Sequence, residues 1–484
     1  MSGQSTDQQW LTARKYLVVP LLCAQVALIA PAAAQEEGPV EGTAHSAEPA
    51  AQPASSTSAG VEEAAPEREL GFDYGNLTFY PLLNIGVGYR NNLYDDQGDK
   101  QNSAFTTVRA GGGVQGVNRG HLYGVEYSAE RYWYLDSDVE DDDELSQRTV
   151  GYWGTAFDVR NNIDLGVEYL DSYDPRGQDD PLLDIRDTTS DEDPDTWTQL
   201  AYGVNYDYGA PGAQGHVELG ACETCRRYDD NDQAYRDRDI TDLGATLYVQ
   251  LTGRTEGFVQ VVYSDFDYRN ATPADPAAGR NLDSEEWRYM LGATWLASEK
   301  TTGIVRIGTV KKEFKDPVRD NSNYDELTWD AVLNWTPTSR DSLTVGYFRM
   351  PQEPLVWELD ELQDDFVESE RLSLNWSHQL REDLAFDAGG YTGSDHWKPS
   401  GRSDDLWGAT AGLRFNLPRW GSIGISYYHR ERDSSDPVHN YSDEGFILDF
   451  NIGSLFGFGD SRAPAICLLR GFSSLGDYNG YTRY

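Results

Sequence analysis

The residues whose types and spacing come nearest to chemistry are Cys222 and Cys225, in the run CETC. No His follows them, which excludes covalent haem attachment, and no second pair completes a zinc site. In a regular strand their odd spacing sets them on opposite faces, whereas a bend can bring them together. The expectation is a local disulfide or two inert thiols, with no redox or metal role. Ser394, Asp395 and His396 are adjacent in GSDH, but neighbours on a strand point apart and cannot relay a proton.

A GDS triplet at 459–461 matches a serine-esterase motif in its letters, yet it sits in a tail with no helix or sheet to activate the hydroxyl. The acidic stretches 136–146 and 174–195 offer carboxylate oxygens to calcium but lack the ordered ligand spacing and Gly of a tight loop. Weak ion binding or plain solvation is expected there. The chain is therefore read as a non-enzyme, with no catalytic residue, no metal site and no cofactor.

The elements that carry these residues repeat one pattern. Phe79, Pro81, Leu83, Ile85, Val87 and Tyr89 alternate with Asn84, Gly86, Gly88 and Arg90, so one face of a strand is apolar and the other small or polar. Ile163 to Tyr169, Leu200 to Tyr206, Leu327 to Trp335 and Trp407 to Phe415 repeat the alternation. Eight short connectors, among them NRG (118–120), NN (161–162), TGR (252–254) and PRW (418–420), alternate strictly with nine longer, mostly acidic ones. That counts eighteen strands. Sorting of loop length by parity belongs to an antiparallel transmembrane β-barrel, with short periplasmic turns and long acidic extracellular loops. Hydrophobic residues at only 39%, with 12% aromatics and 47 Gly, suit a wall whose outward face alone must be apolar. A soluble, acidic all-β sandwich is the competing class, but it has no reason to sort its loops.

The ends of the chain set the compartment. Arg14 and Lys15 precede the apolar run 16–30 and PAAA, which reads as an export signal over 1–34 cleaved after Ala34. Residues 35–76 begin as an Ala, Pro, Ser and Glu-rich stretch and read as a disordered periplasmic linker, the barrel spans 77–456, and 457–484 form a tail of unassigned structure. Cys467 then falls on the opposite side of the membrane from Cys222 and is not expected to pair with it. The formal charge of −42 makes nucleic acid a poor partner. Expected partners are outer-membrane lipid and lipopolysaccharide, a polysaccharide, and periplasmic export and barrel-assembly proteins.

Strand parity points a set of charges into the lumen: Arg90, Arg109, Arg288, Arg306, Arg371, Arg414 and Arg430, with Glu126, Glu168, Asp207, Asp330, Asp387 and Asp449. Opposed charges of this kind either tune passage or brace the wall by pairing across strands. Tyr248, Phe348 and Tyr428 point the same way and either offer ring faces to sugars or fill space. The last strand, YSDEGFILDFNI (441–452), carries Asp443, Gly445, Leu448 and Phe450, which resemble the recognition signal that closes bacterial outer-membrane barrels.

GVGYRNNLYDD (86–96), the strand count and YSDEGFILDFNIGSLF (441–456) together resemble the outer-membrane β-barrel porins encoded with exopolysaccharide biosynthesis and export systems. The resemblance implies a passive outer-membrane conduit for an exopolysaccharide. A small-solute uptake porin and a non-conducting structural or adhesive surface barrel are the rival readings.

Overall fold

The computed structural model describes residues 71–453 apart from 96–97, 99, 119, 136–144, 175–193, 211–212, 230–232, 271–281, 299, 317–322, 353–365, 399 and 418–420. The export signal, most of the linker, the GDS triplet and Cys467 lie outside the described residues, as do nearly all of the two acidic stretches.

The described residues form nineteen strands in chain order. They are β1 Phe72–Tyr74, β2 Leu77–Arg90, β3 Ser103–Asn118, β4 His121–Tyr134, β5 Leu145–Ala156, β6 Asn161–Asp174 and β7 Asp195–Tyr208. Next come β8 Gly215–Tyr228, β9 Arg238–Thr252, β10 Thr255–Tyr268, β11 Ser284–Ser298, β12 Thr301–Phe314 and β13 Tyr324–Thr338. The last are β14 Asp341–Gln352, β15 Phe366–Arg381, β16 Leu384–Lys398, β17 Ser403–Leu417, β18 Gly421–Ser434 and β19 Tyr441–Gly453. From β2 onward each strand pairs antiparallel with the next, and β19 returns to pair with β2, so eighteen strands close a barrel. Closure satisfies the backbone within the wall, which is what lets a sheet cross a bilayer.

The outward face is apolar, as the alternation requires. Val87, Leu291, Ile425 and Leu448 are all exposed on it. On β11 the outward residues run Trp287, Tyr289, Leu291, Ala293, Trp295, and on β17 they run Trp407, Ala409, Ala411, Leu413, Phe415. Aromatic rings therefore bound the apolar band at both ends, the arrangement that holds a barrel at two membrane interfaces.

Two details differ from the sequence reading. Asn161 and Asn162 open β6 instead of forming its turn; the turn is 157–160. Asp158 fixes it, with Oδ1 accepting from the backbone N–H of Arg160 (2.7 Å) and of Asn161 (3.0 Å). Those bonds, that of the Arg160 N–H first, hold the Asp158 carboxyl below its ordinary range. In addition, Phe72–Tyr74, within the stretch read as linker, form β1, which pairs with Leu77–Phe79 through a turn at Gly75, whose φ is 68°. A positive φ at that turn suits a residue without Cβ.

Candidate functional site: the charged lumen

The charges that strand parity aims inward fall on a common face of the wall, the one opposite the exposed apolar residues. The ladders show this directly, since Arg306 stands opposite Asp330, Arg371 opposite Phe348, Glu126 opposite Val150, and Glu168 opposite Val150 from the other side. Arg109 lies in register between Asn84 and Glu130.

From mid-wall toward the rim with long connectors, many of these groups are buried or half-buried and paired. Arg306 Nε donates to both oxygens of Asp330, at 2.9 and 3.0 Å. Arg371 Nη2 donates to Asp395 at 2.7 Å, Arg236 Nη1 to Asp195 at 3.0 Å, and Arg402 Nη2 to Asp404 at 2.6 Å. Arg148 reaches Glu168 at 2.6 Å, and Arg288 reaches Glu286 at 2.5 Å. The Asp330, Asp395, Asp404 and Asp443 side chains have no solvent exposure at all. Lys312 is also buried, with Nζ 3.9 Å from the centre of the Phe266 ring. A buried charge survives only when paired or otherwise solvated, so these bonds brace the wall.

Toward the rim with short turns the inner face is open. Arg414 and Asp387 pair at 3.2 Å with side chains 33% and 41% exposed. Asp449 accepts from Asn451 close by. Across β6 to β8 the sign is one-sided: Asp207 stands in register with Glu218, and Asp164 lies one strand away. Glu218 accepts from Tyr248 Oη at 3.2 Å, and among the described residues no cation is ion-paired with Asp207 or Glu218. Facing acids of this kind attract cations and repel anions.

The inward aromatics mostly fill space. Phe348 packs with Met290, Val332 and Met350. Tyr248 stacks on His216 at 4.2 Å and leans on Phe258 at 5.3 Å, so its ring faces are largely taken up by neighbours. Tyr428 lies over Gly445 and donates to Asp443 at 3.2 Å; a Cβ at Gly445 would stand 2.3 Å from the Tyr89 carbonyl oxygen and 2.7 Å from the Tyr428 ring.

The assembly-signal residues divide by face. Leu448 is exposed on the outward side, and Phe450, two residues on, shares its parity. Gly445 and Asp443 face inward, and Asp443 bonds Arg90 at 3.2 Å and Arg430 at 3.0 Å.

The local disulfide between Cys222 and Cys225 does not form. β8 runs through both residues with unbroken register to β7 and β9, so no bend brings them together. Cys222 faces inward and is held in a disulfide, while Cys225 is outward, in register with Leu200, and is a free thiol. The GSDH residues separate as a strand dictates. Asp395 is buried against Arg371, and His396 Nδ1 lies 3.0 Å from Ser403 Oγ on the other face. Parity also reaches residues not assigned to the lumen from the sequence: Asp242, Glu286, Lys312, Asp395 and Asp404 continue the inward positions of their strands.

A closed barrel of eighteen antiparallel strands, apolar outside and charged within, has the architecture of an outer-membrane porin. Residues 65–452 match the model of a family described as "Putative beta-barrel porin 2", and the chain belongs to that family. No curated protein matches the sequence. Among solved structures it is similar to Pseudomonas aeruginosa OccK2 (OpdF) in complex with glucuronate, at 11% identity and TM-score 0.44, covering 77% of this chain and 98% of that one. It is also similar to a BenF-like porin from Pseudomonas fluorescens Pf-5, at 9% identity and TM-score 0.43, covering 78% and 99%. Acinetobacter baumannii OccAB3 matches at 11% identity and TM-score 0.42, covering 77% and 98%.

Proposed function

We propose that the protein is a passive outer-membrane porin for uptake of small hydrophilic solutes, with a preference for cations. The observation that supports this most is the division of the inner face. From mid-wall toward the long-connector rim, Asp330, Asp395 and Asp404 are solvent-excluded and each is locked to an Arg, whereas toward the short-turn rim Arg414, Asp387 and Asp164 are partly exposed and Asp207 and Glu218 are half-buried. A polymer in transit needs a polar track of even width along the whole wall. A small solute needs only a narrow charged passage followed by an open vestibule.

Export of an exopolysaccharide, the conduit implied by the family resemblance, is the weaker reading on this ground. The purified full-length barrel in planar bilayers and in swelling liposomes tests the choice. Expected are ohmic conductance, cation selectivity, and permeability that falls steeply from mono- to trisaccharide. A barrel that does not conduct overturns the proposal. So does a deletion strain that loses surface polysaccharide while growing normally on small solutes.

A further inference from the structure

The joint between β19 and β2 differs from every other in the barrel. Each of the remaining neighbours is tied to the next by a connector, so separating them leaves their ends together. The seam strands lie at opposite ends of the barrel sequence, and no connector joins them. Their ladder has nine pairs, Gly445–Gly453 on Leu82–Arg90, against fourteen between β2 and β3. It leaves Tyr441–Glu444 at the top of β19 paired with β18 alone.

The connector that follows β2 takes up these positions. The Asn91 backbone N–H donates to the Glu444 carbonyl oxygen at 3.0 Å, and Asn91 Oδ1 accepts from the Glu444 N–H at 2.9 Å. Asn92 Nδ2 and Lys100 Nζ both donate to the Ser442 carbonyl oxygen, at 3.1 and 2.9 Å, and Lys100 also reaches Ser442 Oγ at 2.8 Å. On the inner side Asp95, a non-glycine residue with φ 54°, accepts from Arg430 Nη2 at 2.9 and 3.1 Å and lies 3.5 Å from Arg90. Arg90 and Arg430 both hold Asp443, so four charges, all buried but the half-buried Arg90, join β2, its connector, β18 and β19. A left-handed Asp is uncommon, and here its carboxylate meets two guanidinium groups.

We propose that this connector is a clasp that locks the finished seam. It grips the closing strand from the lumen through Asp95 and at the rim through Asn91, Asn92 and Lys100. The clasp supplies at the seam the tie that a connector supplies at every other joint. It acts on the rate at which the barrel opens, because it must be broken before β19 can leave β2. This holds whatever solute the pore carries.

The test compares unfolding rates of the full-length chain, folded in detergent and followed by gel heat-modifiability. The variants are Asp95→Asn combined with Lys100→Ala, and Lys100→Ala alone. Both are repeated with the seam closed covalently by Asn84→Cys and Asn451→Cys, whose native side chains already meet, in a Cys225→Ser background. Expected is an unfolding rate raised about tenfold or more for the double variant, from the lost charge-assisted bonds. A rise of roughly two- to threefold is expected for Lys100→Ala, an exposed single contact. With the seam disulfide formed, both effects shrink below about twofold, because β19 can no longer leave. Wild-type rates in the double variant would overturn the clasp. So would an acceleration that persists unchanged across the cross-linked seam.

Discussion

Replacing Leu291 by Arg tests the membrane placement on which the other readings stand. Leu291 is the middle residue of β11 and lies midway between Trp287 and Trp295 on the outward face. Eight residues at about 3.3 Å each separate the two rings by about 26 Å along the strand, or roughly 20 Å of depth at the usual barrel tilt. That nearly fills the ~25 Å apolar band, so Leu291 sits at its centre, where Arg costs about 2 to 4 kcal/mol. Leu413 occupies the same face of β17 but lies two residues from Phe415, about 7 Å along the strand from the middle of its own run. Leu413→Arg should therefore cost about 1 kcal/mol less than Leu291→Arg, as the penalty falls toward the interface. Arg414→Leu, on the open part of the lumen, should cost under about 1 kcal/mol. Urea titration of each variant refolded into lipid vesicles gives the three values. Equal costs for Leu291→Arg and Leu413→Arg, or a cost for Arg414→Leu as large as either, would refute the assigned depth and faces.

Asp330→Asn strips the buried Arg306 of its carboxylate, and the same titration should show a loss of about 3 kcal/mol or more. Gly445→Ala drives a methyl into the Tyr89 carbonyl oxygen, which side-chain motion cannot relieve, and should cost about 1 to 3 kcal/mol. Asp207→Asn combined with Glu218→Gln should lower the cation preference, read as a smaller reversal potential across a KCl gradient, with stability equal or higher because facing acids repel. The Asp158 carboxyl is lowered by its turn bonds, so its stabilisation is complete above the ordinary carboxylate value and disappears as pH falls through the lowered one. An Asp158→Asn variant should accordingly differ most from wild type near neutral pH and converge with it in acid.

Strand alternation and loop parity were enough to read the barrel and its strand number. A period of two leaves a side chain only two directions, and a membrane wall makes one of them apolar. The same rule could have found Lys312, Asp395 and Asp404, which share parity with residues already chosen on their strands. It also carried the facing of Cys222 and Cys225, because an unbroken ladder leaves no bend between them.

What the alternation could not supply is which inward groups meet. Arg430 finds Asp95 across 335 positions of sequence, and Asn84 finds Asn451 across 367. Such pairs depend on which strand closes on which and in what register. The sequence by itself determined the wall, since local periodicity and turn residues act within a few positions. Only the tertiary structure decided the buried pairing, the open short-turn face and the clasp on the seam, because each joins residues that nothing but closure of the barrel brings together.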